Sequence, residues 1–257
     1  MTDSKEMILE VRDLCKEYPS FRLENVTFSV PKGSITGFIG RNGAGKTTTI
    51  KSVLNLVHKK SGEIRFFGLD LDSHEKEIKE RIGYAGGAID YYKKKRIRDL
   101  IAVTKRFYEH WDDEACRKFM NAFELSEEKT PSELSEGMKV KLNLVLALSH
   151  GAEFLILDEP TSGLDPISRE ELLDVFEALR KTGVSILFST HITSDLDKCA
   201  DRIVYIKEGR ILASDAMDRY LSDCKAAGYG ETLEEVMLHF EKKEVSFGAP
   251  ESTEQPL

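Results

Sequence analysis

The residues best suited to chemistry stand where buried apolar runs end. GRNGAGKTT, Gly40 to Thr48, fits the spacing G-x-x-x-x-G-K-[ST], with a buried apolar run before it and helical spacing after it. Glycines at Gly40, Gly43 and Gly45 let backbone amides converge on phosphate oxygens, with Arg41, Asn42, Ala44 and Thr48 completing the loop. Lys46 can reach the outer phosphates and Thr47 can ligate magnesium. A helix starting here adds partial positive charge. FLILDEP puts Asp158 and Glu159 at the end of another apolar run. There Asp158 could hold the metal, directly or through water, and Glu159 could polarise an attacking water. FSTH ends a third run at His191, whose imidazole could contact a terminal phosphate. Tyr18 could stack on a base or pack within a sheet.

The surrounding pattern supplies elements to position them. MILEVRDL and LENVTFSV alternate apolar and polar residues as half-buried strands do. KTTTIKSVLNLV carries helical spacing, and GEIRFFG reads as a short strand. From about residue 97 to 150 the pattern turns helical, in RIRDLIAVTKRFYEHW, in DDEACRKFMNAF with Asp112 as N-cap, and in SEGMKVKLNLVLALSHG, apolar nearly all round. FLILDE and SILFSTH then read as central parallel strands, separated by a helix from Pro166 to the glycine at 183. RIVYIKEGRILAS reads as a hairpin turning at Glu208-Gly209, and two short helices are expected near 214–225 and 231–242. Residues 246–257 have little to bury and are expected to be disordered.

Bulk properties narrow the function classes. A chain of 257 residues with 40% apolar residues suits one large domain, and a net charge of −8 gives no support to a nucleic-acid partner. Cys15, Cys116, Cys199 and Cys224 lack metal-like spacing and read as free thiols. No secretory signal is visible, and no stretch approaches the roughly 18 apolar residues of a membrane span.

In their order, these motifs resemble the ATP-binding cassette family, over about Val11 to Ala213. GRNGAGKTT is similar to its Walker A loop, LSEGM (Leu134 to Met138) to its signature, and FLILDEPTSGLD to Walker B followed by the D-loop ending at Asp165. STH resembles its switch histidine, and Tyr18 its adenine-stacking aromatic. The resemblance implies an α/β fold: a P-loop NTPase core with a mixed, mostly parallel sheet and flanking helices, plus an N-terminal antiparallel β-subdomain and a helical subdomain. It implies one ATP-binding domain over 1–245, with the helical part inserted at about 88–150. It further implies ATP and Mg2+ as cofactors, and head-to-tail dimerisation, with an identical or a different partner cassette. Ser135 and Gly137 of one subunit would then face the γ-phosphate held by the other.

Two departures stand out. Glu136 and Met138 replace a glycine and a glutamine of the usual LSGGQ. IGYAGGAIDYYKKKR, residues 82–96, has Gly87 where the family carries its Q-loop glutamine; Asp90 could substitute if the loop folds back, or the stretch is an exposed loop without that role. The resemblance implies an ATPase subunit of a transporter, most similar to bacterial exporters. It would sit peripherally on the cytoplasmic face of the cell membrane and be coupled to an integral membrane subunit on another chain. A soluble cassette ATPase, or an ATP sensor with weak hydrolysis, is the alternative.

Overall fold

The computed structural model describes residues 6–86 and 94–242. Gly87, Asp90 and the tail expected to be disordered lie outside them. The chain divides into two compact units, one ending at Tyr220 and the other beginning at Leu221.

The first unit opens on two long strands, β1 (Met7–Tyr18) and β2 (Phe21–Pro31), followed by β3 (Ile35–Ile39), helix α1 (Lys46–Val53), β4 (Ser61–Phe66) and the short β5 (Leu69–Asp70). Helix α2 (Leu71–Arg81) leads into β6 (Ile82–Gly86). The helices α3 (Ile97–Thr104), α4 (Asp113–Ala122) and α5 (Glu136–Leu148) come next. The chain then returns to the sheet as β7 (Phe154–Asp158), α6 (Pro166–Lys181), β8 (Ser185–Thr190), α7 (Thr193–Cys199), β9 (Arg202–Lys207) and β10 (Arg210–Ala216).

The strands form two sheets. The antiparallel sheet has the order β2-β1-β4-β5, and the larger one the order β10-β9-β3-β8-β7-β6. In the larger sheet only β10 runs antiparallel to its neighbour. Its central strands read as continuous apolar runs because both faces are covered. β3 is buried at every position, and β8 likewise. The main core lies between the sheets, where Phe28 stacks on Phe38 at 5.5 Å and Phe66 meets Phe154 at 6.1 Å.

Some boundaries differ from the sequence reading. α1 ends at Val53, because Asn55 adopts φ 54° and turns the chain. The helical run after residue 96 stops at Thr104 and gives way to a single 3-10 turn, Lys105–Phe107. α2 went unnoticed in the sequence: only Leu71 and Ile78 of its residues are buried, so it shows little apolar spacing. The hairpin turn is as expected, with Glu208 and Gly209 at φ 48° and 78°.

α5 lies along β6 and is fixed where it ends. A Cβ at Gly83 would stand 2.5 Å from Ala147 Cβ, so only glycine permits this approach. Two residues past the end of α5, His150 is buried, stacks on Tyr108 at 3.7 Å, and has its ring nitrogens 3.2 Å from Leu146 O and 3.1 Å from Ile82 O.

α8 (Met217–Ala226) crosses into the second unit, which continues as α9 (Leu233–Glu241). Thr232 and Glu235 form a capping box at the start of α9, and Tyr229 stacks on His239 at 4.6 Å.

Candidate active site

The Gly40–Thr48 loop joins the end of β3 to the start of α1. Gly45 holds φ 116°, and a Cβ there would stand 2.8 Å from the Phe21 ring and 2.9 Å from Leu23, so glycine is required on both counts. Gly45 is also the N-cap of α1, yet no side chain caps this helix and no acidic residue stands in its first turn. Among the described residues no side chain compensates the first amides or the positive end of the helix dipole, which suits an anion.

Lys46 is 5% exposed. Its ammonium donates to Gly40 O at 2.6 Å and Arg41 O at 3.3 Å, and it lies 2.9 Å from Glu159 Oε1. The other oxygen of Glu159, Oε2, is 2.8 Å from His191 Nδ1. One carboxylate thus bridges a buried ammonium from α1 and an imidazole that follows β8. Glu159 itself sits at φ 53°, a left-handed conformation that costs a non-glycine residue about 1 kcal/mol or more. Its N–H donates to Ser189 Oγ at 2.9 Å, and the Ser189 hydroxyl donates to Asp158 Oδ1 at 2.6 Å. Ser189 therefore joins the two acidic residues from the neighbouring strand, where Asp158 and Ser189 are register partners. The sequence reading passed over it, because only strand register brings the two together.

A cavity of about 740 Å³ opens over this cluster. It brings Tyr18, Arg41, Asn42, Gly43, Gly45, Lys46, Thr47, Thr48 and Glu159 to one wall. Tyr18 is 43% exposed at the end of β1, with Lys16 Nζ over its ring at 5.0 Å from the centre, and it also lines an adjoining space of about 610 Å³. Ala44 is buried behind the loop, and Gly40 takes part through its carbonyl. The donor set fits a nucleotide: uncompensated amides and a lysine for phosphates, an aromatic face for a base. It also fits a hard cation, since Thr47 is exposed at the first helical turn and Asp158 keeps a second carboxylate oxygen besides the one that accepts from Ser189.

Ser135, Gly137 and Asp165 do not line that cavity. Ser135 is the N-cap of α5, accepting from Met138 N–H at 3.2 Å, and Glu136 in the same turn pairs with Lys139 at 2.6 Å. Gly137 is buried against Ser168 and Leu164. Asp165 caps α6, accepting from Ile167 and Ser168 N–H and from Ser168 Oγ at 2.6 Å. That hydroxyl, with the amides, holds its carboxyl below the usual range. The first turn of α5 nevertheless reaches the sheet edge, because Glu136, Lys139 and Asn143 share a small crevice with Asp158 and Glu159. Tyr84 is a further candidate that the sequence reading left aside. Its phenol lies over Gly86, whose register partner is Asp158, and burial followed by the nearby Asp158 charge pushes its pKa up.

Comparison with known proteins places this geometry in context. The family model described as ABC transporter matches residues 23–162. The chain is 36% identical over 209 residues to the bacitracin transport ATP-binding protein BcrA of Bacillus licheniformis, covering 80% of this chain and 68% of the relative. It is 34% identical over 214 residues to the lantibiotic transport ATP-binding protein SrtF of Streptococcus pyogenes, covering 82% and 92%. Among solved structures, an ATP-binding subunit of an ABC transporter superposes with a TM-score of 0.80 at 29% identity, over 91% of this chain and all of that one.

Proposed function

The chain belongs to the ABC transporter family as an ATP-binding subunit that hydrolyses ATP, and on that premise we propose how it does so and what it serves. Lys46 and the first amides of α1 hold the β- and γ-phosphates, and Tyr18 stacks on the adenine. Thr47 and Asp158 would hold Mg2+, which would screen the charge that develops on the phosphates. Glu159 is the general base for water, and His191 orients it and contacts the γ-phosphate. The bridge from Lys46 through Glu159 to His191 is the observation that carries this reading. It sets a base and two cationic or polar donors within one hydrogen-bonded group at the sheet edge.

ATP-binding subunits of this family work with membrane subunits and dimerise. Among the described residues no helix is long and apolar enough to cross a membrane. We therefore assign the membrane part to another chain and this one to that chain's cytoplasmic face. Similarity to bacitracin and lantibiotic transport proteins supports export as the direction. Ser135 and Gly137, outside the cavity of their own chain, would face the nucleotide of a second cassette, identical or not, with Asp165 at the same junction.

Glu159→Gln tests the reading. It keeps the shape of the site and removes the base, so hydrolysis should fall by about 100-fold or more. With Mg-ATP, the ATP-bound dimer should accumulate on a sizing column. Unchanged turnover would remove Glu159 from the base role.

A further inference from the structure

Behind the active site, the turns that carry Glu159 and His191 are tied together by one buried carboxylate. Asp195, in α7, is 1% exposed. Its Oδ2 accepts from Thr161 Oγ1 at 2.6 Å and lies 3.5 Å from Thr190 Oγ1. Thr161 stands two residues after Glu159, and Thr190 immediately before His191; both are fully buried. The Thr190 hydroxyl oxygen also accepts from Ile192 N–H at 3.0 Å, closing the turn around His191. The remaining oxygen, Oδ1, has no hydrogen-bond partner among the described residues. Arg169 Nε of α6 lies 3.9 Å away, an ion pair at long range, and makes no hydrogen bond among the described residues.

For stability alone this is a poor arrangement. A buried carboxylate with half its capacity unused is costly, and an apolar side chain would fill the space at less expense. Its geometry does something an apolar residue cannot. Glu159 is held in a left-handed conformation, and one side of its turn is fixed by Ser189. The Thr161–Asp195 bond fixes the other side, and Thr190 is held to the same oxygen. We propose that Asp195 is a positioning residue for hydrolysis: with Thr161 and Thr190 it sets the 2.8 Å separation of Glu159 and His191. This rests on the reading of those two residues as the hydrolytic pair.

Thr161→Val keeps the shape and removes the donor, whereas Thr161→Ser keeps the donor. A displacement of about 1 Å at a reacting group can cost about 100-fold, so a loss of about tenfold in kcat is expected for Thr161→Val. KM for ATP and the affinity for ADP, measured by titration, should stay within about twofold, and Thr161→Ser should restore most of the rate. Asp195→Leu, which removes the acceptor at similar size, carries the same expectation of lower kcat at unchanged ADP affinity, and it decides the matter if Thr161→Val does not fold. The role is overturned if the valine variant turns over normally, if kcat and ADP affinity fall together, or if serine fails to rescue. Glu159→Gln separates the two levels. If it hydrolyses ATP at the parent rate, the catalytic reading fails and this one with it. If it is inert while Thr161→Val is normal, only the positioning role falls.

Discussion

The sheet edge and the helical stretch from Ile97 to Leu148 hold their candidate residues by different means. At the edge, Lys46, Asp158, Glu159 and His191 stand at the ends of strands or at the start of a helix packed on them. Behind them, among the described residues, is a core of twenty-three buried side chains drawn from both sheets and the helices packed on them. The helical stretch has its own cluster of eight, from Ile97 to Val145. Its outer face is stitched by exposed pairs such as Arg98–Glu128 and Lys105–Asp113, each worth about 0–1 kcal/mol. Chemistry that depends on sub-ångström placement sits on the larger core. Ser135 and Gly137, proposed to meet a second subunit, sit on the helix that the smaller core holds.

The sharpest way to break this comparison is Leu142→Ala. Leu142 is fully buried in the smaller cluster, and such a truncation costs about 2–5 kcal/mol. If the two cores are energetically separate, hydrogen exchange should rise in α3, α4 and α5 while ADP binding at Lys46 is retained. Loss of ADP binding in a still-folded variant would merge the two regions. Tyr18→Ala probes the edge alone. Lost stacking should weaken ATP by about 1–3 kcal/mol and leave inorganic triphosphate nearly unchanged. Equal weakening of both would make Tyr18 a structural residue.

The smallest expected effect concerns His150, at the seam between the regions. Burial pushes its pKa below the ordinary 6.5, outweighing the carbonyls of Ile82 and Leu146 that favour the proton. The unfolded chain then binds more protons than the folded one. The stability contributed by the neutral ring is present above pH 6.5 and lost as the pH falls from there through the folded value. Melting temperature should therefore drop between about pH 7.5 and about pH 5.5, and drop less in His150→Gln. An identical pH dependence in the two proteins would contradict this.

What could be read in the sequence, and what could not, follows a physical divide. Buried strands announce themselves by composition, and the phosphate loop by its glycines, because both are local in the chain. The alternation of β1 and β2 and the continuous apolar runs of β3, β7 and β8 were legible for this reason. So was the clustering of polar residues at their ends. The bonds among those residues were not. Ser189 touches Asp158 because β7 and β8 pair in one particular register, and a shift of one residue would turn Ser189 to the other face. Thr161 and Asp195 meet across 34 residues, and neither type nor spacing signals it. α2 was missed because its buried face is only Leu71 and Ile78, and it is kinked at His74, where φ is −127°.

The way α5 is fixed at one end has a mechanical consequence. Gly83 packed on Ala147, and His150 held at Ile82, pin the helix at its C-terminal end. At the opposite end, its first turn stands beside Asp158 and Glu159 across a crevice of only about 50 Å³. Thirteen residues make a rod about 20 Å long. Pivoting about the pinned end, a tilt of about 3° swings the tip that bears Ser135 and Glu136 through about 1 Å, a displacement large enough to matter to catalysis. A helix of this length, held at one end, turns a small tilt into a displacement on the scale on which a phosphate contact is made or lost.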